Sequence, residues 1–203
     1  MRTRVCYFSY FIGLYDEIFK EEIIMNKIII KESVRNLVEF CLKKGDIDNR
    51  FSGSGRAVDG TRAHQKLQDD NGKVYENYQK EVNLTYEFEL NESLINIEGR
   101  ADGIIIEEDK VIIEEIKSTY RSFVHIDDSN EVHWAQAKVY AVIYGRQNKL
   151  DTLYIRLSYV QLETDEVKSF EKKFSLDELE AFTLSLLNEY EHFSILICKQ
   201  RNL

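Results

Sequence analysis

The sequence predicts an α/β domain, a mixed β-sheet with helices on both sides. Three observations predict it. Strand-like stretches come in adjacent runs rather than in regular alternation with helices, which favours a mixed sheet over a βαβ repeat. Helical stretches stand before, between and after those runs. The chain has 203 residues, 43% hydrophobic and 31% charged, enough for one substantial domain and marginal for two.

The elements follow in order. Arg2 and Arg4 precede an apolar run over 5–15 that is too short to cross a membrane. It meets Asp16 and Glu17 where a secretory signal would carry small cleavage-site residues. Tyr7, Phe11, Leu14 and Ile18 keep helical spacing, so 1–24 is expected to be a peripheral segment, with Met25 an alternative start. The single domain is expected over 25–203. Residues 33–44 predict a helix from a Ser33 N-cap to a stop before Gly45. A loop rich in Gly and Asp follows, then a helix over about 56–68. In 81–90, Val82, Leu84, Tyr86, Phe88 and Leu90 alternate as in a strand. Strands are expected at about 94–98, 100–106 and 111–117, a helix over 132–145, and a strand pair over 151–161 and 166–174. A last helix runs from Leu176 to about Ile197, opened by a Ser175/Glu178 capping box.

Composition narrows the function. Thirty-six Asp and Glu against 27 Lys and Arg give a formal charge of −9. That argues against coating nucleic acid by bulk charge but leaves room for a local basic cleft. Residues 31–66 hold eight Lys and Arg against five Asp and Glu, a net of +3, so the rest sums to −12. Cys6, Cys41 and Cys198 are too few and too far apart for a disulfide framework or a four-cysteine metal site. A reducing, cytoplasmic setting fits, with no membrane partner. The chain holds no GxxxxGK[ST] loop and no cofactor fingerprint, so neither an ATP motor nor a small-molecule cofactor enzyme has a signature here.

The chemistry gathers in 99–117, GRADGIIIEEDKVIIEEIK. Two β-branched runs, 104–106 and 111–113, flank Glu107-Glu108-Asp109-Lys110, a hairpin turning at Glu108-Asp109. A loop of two or four residues makes paired positions sum to 217. Ile106 then faces Val111, Ile104 faces Ile113, and Asp102 faces Glu115. Residues two apart share a face, so two carboxylates end one apolar stripe, their Cβ atoms about 4.5–5.5 Å apart. Like charges so placed destabilise a sheet. A divalent cation of the kind that takes hard oxygen ligands, magnesium or manganese, resolves the conflict. Lys117 lies on the same face; Glu114 points the other way and is the weaker candidate. The register also sets Arg100 against Lys117, a like-charge pair that a polyanion would relieve. The plainer alternative makes Asp102 and Glu115 solvated strand ends, and a loop one residue longer or shorter would break the register.

Gly99-Arg100-Ala101-Asp102 followed by Glu115-Ile116-Lys117 resembles the GxxD…ExK signature of PD-(D/E)xK nucleases. Gln136-Ala137-Lys138-Val139-Tyr140 is similar to the QxxxY motif of their RecB-like branch, and Gly60 with His64 matches its upstream helix. The opening of the domain also resembles nuclease domains found N-terminal to bacterial superfamily 2 helicases.

The resemblance implies a restriction-endonuclease-like core and metal-dependent hydrolysis of DNA by an exonuclease or single-strand-acting nuclease, with a helicase partner in cis or in trans. It implies Mg2+ or Mn2+ held by His64, Asp102, Glu115 and the Ile116 carbonyl, with Lys117 orienting the attacking water. Gln136 and Tyr140 would contact phosphate or the lysine, although packing alone also accounts for Tyr140. Glu81 matches an acidic position of similar nucleases. Arg62, Lys66, Arg100 and Arg121 are candidates for backbone phosphate contact. Some relatives bind an iron–sulfur cluster through one upstream and three downstream cysteines; Cys41 and Cys198 cannot complete such a set, so no cluster is expected. His125 and His133 receive no role, and Trp134 is either core or a base-stacking platform. The alternative function is a non-catalytic nucleic-acid-binding or scaffolding module that kept the fold.

Overall fold

In the computed structural model, residues 27–42 and 54–201 are described. The expectations for residues 1–24, Cys6 and the helix stop at Gly45 fall outside them. The elements are β1 (Ile28–Ser33), α1 (Val34–Leu42), α2 (Ser54–Val74), β2 (Tyr78–Glu89), β3 (Ser93–Glu107), β4 (Lys110–Thr119), a 3-10 turn (Phe123–His125), α3 (Glu131–Asn148), β5 (Thr152–Gln161), β6 (Val167–Ser175) and α4 (Leu176–Arg201).

The capping chemistry is where the sequence puts it. Ser33 Oγ accepts from Asn36 N at 3.1 Å, starting α1, and the Ser175/Glu178 box closes in both directions at the head of α4. Two expectations need correction. The strand β1 has no counterpart in the predicted elements, because its run of three isoleucines is too short to announce itself. The two strands expected at 94–98 and 100–106 are one strand, β3, since Gly99 sits within the ladder to β2 and does not break it.

Six strands form one mixed sheet, with β1, β3, β4, β5 and β6 in line and β2 also paired to β3. The β1/β3 and β4/β5 pairs are parallel and the others antiparallel. The main core packs between the sheet and α1, α3 and α4. On the other face, Ala63 and Leu67 of α2 meet Ile116, Val160 and Leu162. Helices thus cover both faces, the restriction-endonuclease-like arrangement expected.

One feature of the sheet positions the site. β2 pairs with β3 over residues 94–105. β1, which pairs over 93–98, and β4, which pairs over 103–107, must therefore share the opposite edge of β3. They run toward each other along it. The stretch between them is Gly99-Arg100-Ala101-Asp102, left without a ladder partner on that side. Past Glu114, β4 leaves β3 and continues only against β5.

Candidate active site

The hairpin register is the predicted one: Ile104 pairs with Ile113, Ile106 with Val111, and Gly103 with Glu114. The ladder stops there, one rung short of Asp102 and Glu115. In place of a backbone carbonyl, the Asp102 carboxylate crosses the opening, its Oδ2 accepting from Ile116 N at 2.7 Å. Asp102 is half-buried and Glu115 only 5% exposed. Burial pushes both carboxyls up; Asp102 raises Glu115 further, Glu81 raises Asp102, and the Lys117 ammonium pulls against both shifts. Glu115 reaches about 7.

Lys117 Nζ donates to Glu115 Oε1 at 2.5 Å and to Gln136 Oε1 at 2.9 Å. Gln136, nearly buried on α3, therefore holds the ammonium from the helix side while Glu115 holds it from the sheet. Tyr140 lies one helical turn on. Its hydroxyl packs against Gly99, beside the Arg100 backbone at the unladdered opening. Burial pushes that phenol's pKa up.

The opposite side of the opening is organised by α2. Residues 64, 68 and 71 share one helix face. Gln68, 2% exposed, donates through Nε2 to Glu81 Oε1 at 2.8 Å and to the Asp102 carbonyl at 2.9 Å. His64 feels Asp102, Lys117 and Glu81; burial lowers its pKa and Asp102 opposes the shift. Asn71 and Ser158 donate to the buried Glu114 at 2.7 and 2.6 Å, and Tyr78 adds a third bond at 3.2 Å. Glu114 is thus an anchor that ties α2 to the sheet, on the far face from Glu115.

Glu81 has φ of 56°, left-handed backbone inside a strand. It faces Asp102 on the rung missing from an otherwise unbroken β2/β3 register. On β3 the core-facing residues are Ile95, Ile97 and Ala101 before that rung and Ile104 and Ile106 after it. The alternation of β3 therefore changes phase here without a register shift, at the residue whose carboxylate reaches across the opening to Ile116 N.

The basic candidates separate. Arg100 does not oppose Lys117: β4 has already diverged, and Arg100 Nε bridges to Glu81 Oε2 at 2.5 Å. Lys66 pairs with Asp165 at 2.6 Å on the surface. Arg121, with Ser118, Thr119 and Tyr120, lines an open cavity of about 440 Å³ just past Lys117. Arg62 lines a second opening on α2. Trp134 is 6% exposed and belongs to the core.

Among the described residues, no group of three or more His, Cys, Asp and Glu side chains is gathered to hold a metal ion. His64 and Glu115 each interact electrostatically with Asp102, but the three do not form a ligating cluster. The donor chemistry fits a hard divalent cation at two carboxylates. Asp102 and Glu115 each keep a second oxygen without a protein partner among the described residues, and their repulsion is the strain a cation would relieve. Sequence reasoning missed Gln68, whose signal was its place four residues after His64. It also missed Tyr159, whose position beside Lys117 depends on the β4/β5 register.

No model of a known protein family matches the sequence, and no curated protein matches it. Among solved structures, that of SSO0001 superposes with a TM-score of 0.50 at 20% identity, covering 86% of each chain. A phage-related exonuclease from Haemophilus somnus 129PT gives a TM-score of 0.43 at 13% identity, covering 82% of each chain. The first likeness is one of fold. No helix among the described residues is long and apolar enough to cross a membrane.

Proposed function

We propose that this chain is a metal-dependent deoxyribonuclease of the RecB-like branch of PD-(D/E)xK nucleases, an exonuclease or single-strand-acting enzyme that hydrolyses phosphodiester bonds. The observation that carries the reading is the placement of Lys117. Its ammonium is fixed between Glu115 and Gln136 beside Asp102, itself anchored on Ile116 N. Two carboxylates and an oriented lysine at one opening are the parts that in-line hydrolysis of a phosphodiester requires.

Asp102 and Glu115 would hold Mg2+ or Mn2+, with His64 and the Ile116 carbonyl as further donors. When bound there, the ion supplies charge neutralisation at phosphate and a lowered pKa for water. The chain's own groups do the rest. Lys117 orients the attacking water and offsets charge developing on the phosphate, and Gln136 keeps the ammonium aimed. Tyr140 packs against Gly99 and so braces the strand that carries Asp102. Arg62 and Arg121 serve as backbone-phosphate contacts, and the substrate is DNA, processed alone or alongside a helicase.

A second reading is a nucleic-acid-binding module without catalysis. It is favoured by the Glu115–Lys117 pair, which satisfies the buried acid with no cation. One experiment separates them: end-labelled single- and double-stranded DNA incubated with and without manganese, using wild type and Asp102→Asn. Manganese-dependent shortening by wild type alone supports the nuclease. Binding of DNA without cleavage by either protein supports the module.

A further inference from the structure

His133 stands outside the motifs named above, yet it lies at the same opening. It is on α3, three residues before Gln136 and seven before Tyr140, so the three share a helix face. Its Nδ1 is 2.9 Å from Tyr159 Oη, with the rings stacked at a tilt, centroids 5.7 Å apart. Tyr159 in turn is the residue paired with Lys117 across the β4/β5 ladder. His133 and Tyr159 thus flank the lysine on the side away from Asp102.

The hydrogen bond sets the chemistry of the ring. Tyr159 and His133 can each donate in this part-buried bond; a phenol O–H is the stronger acid and a neutral imidazole nitrogen the stronger base, which favours the hydroxyl as donor. Among the described residues its hydrogen-bond partner is His133 Nδ1. With the hydroxyl donating to Nδ1, the neutral imidazole must carry its proton on Nε2. Nε2 itself makes no hydrogen bond among the described residues. Burial and the Lys117 charge push this histidine down to about 4, so it stays neutral where a nuclease works. A neutral N–H beside an ammonium can meet a phosphate oxygen without competing with that ammonium for Glu115.

We infer that His133 is a substrate-contacting residue whose Nε2–H, its tautomer fixed by Tyr159, donates to a phosphate oxygen of the nucleic-acid strand at the Lys117 site. The inference rests on the nuclease reading above, and its test is arranged to tell the two apart.

The full chain, 15N-labelled in histidine, is examined by NMR and titrated with a single-stranded oligonucleotide in EDTA, so that neither cleavage nor metal enters the readout. Nδ1 should be unprotonated and Nε2 protonated at neutral pH, and the Nε2 signal should move on adding oligonucleotide. Tyr159→Phe should abolish the tautomer preference. His133→Leu should weaken oligonucleotide binding about tenfold, the scale of a hydrogen bond to a charged group. His133→Gln, which restores a neutral N–H at similar reach, should recover most of the loss. An Nδ1–H tautomer in wild type overturns the inference, and so does His133→Gln binding no better than His133→Leu. Wild-type binding and manganese-dependent cleavage with an unmoved Nε2 signal overturn it while leaving the nuclease reading standing. Absence of both binding and cleavage in wild type overturns the two together.

Discussion

Tyr140 Oη occupies the space that a side chain at Gly99 would need: a Cβ there would lie 2.7 Å from the phenol oxygen. The glycine and the tyrosine, from separate motifs, are therefore one packing unit across the opening in the β3 edge. Gly99→Ala should destabilise the fold by about 1–3 kcal/mol, the usual cost of overpacking. Tyr140→Phe should reduce that penalty without removing it, since ring carbons would still be 2.9 and 3.2 Å away. Urea unfolding of the two single variants and the double variant measures the coupling.

Lys117→Ala should lower cleavage about 10²-fold or more, the scale of a lost charge-stabilising or proton-handling group. It also strips the buried Glu115 of its partner and should cost about 3 kcal/mol of stability. Adding Glu115→Gln should recover most of the stability and none of the activity. A single variant with wild-type turnover would remove the lysine from the mechanism.

The pH profile of stability follows from Glu115. Its ordinary value is 4.5 and burial raises it to about 7 in the fold, so between those values the native protein holds a proton that the unfolded chain has released. Stability of the metal-free protein should therefore fall as pH rises through that window. His133 acts in the opposite sense: depressed from 6.5 to about 4, it costs stability as pH falls from 6.5 toward 4. Thermal melts of wild type against Glu115→Gln isolate the first effect. Parallel curves for the two proteins would mean that Glu115 is ionised throughout.

Manganese or magnesium should raise the melting midpoint of wild type by binding the folded state, and Asp102→Asn should abolish the rise. If His64 completes the site, metal affinity should weaken as pH drops through about 6.5, the ordinary histidine value. His64→Ala should erase that step. Calorimetric titration of wild type and the two variants at several pH values gives both answers.

Despite a net charge of −9, affinity for DNA should fall with added salt, because contact is local to basic groups near the opening. Arg62→Ala and Arg121→Ala should each reduce the slope of log affinity against log salt by about one. The same substitution at Lys66, which Asp165 already pairs, should change it less.

Much of this site was legible in the chain. The isoleucine and valine runs around Glu108-Asp109 fixed a hairpin register that the sheet reproduces, because strand alternation and a two-residue turn leave few choices. The partners of Lys117 were half legible: Glu115 by its period-2 spacing, Gln136 through the family motif. Arg100 was misplaced because the rule of 217 was extended past the point where β4 departs for β5. Nothing local in the sequence marks that departure. It shows only in the ladders, where β1 holds that edge as far as Glu98 and β4 beyond Glu114 pairs with β5. The phase change at Glu81 and Asp102 was hidden for a related reason: a left-handed residue that is not glycine leaves no compositional trace.

The shared edge of β3 also sets an order of assembly. β2, β3 and β4 are joined by short turns and can associate from contacts close in sequence, which form early and at small entropic cost. β1 and the β4/β5 pairing bring in segments from both ends of the domain. Only when both are seated does the unladdered stretch acquire its two borders. The opening that holds Asp102 is thus expected to be defined last, as the space left between two arrivals, and its width is set by where the β1 and β4 ladders stop rather than by the strand on which it lies.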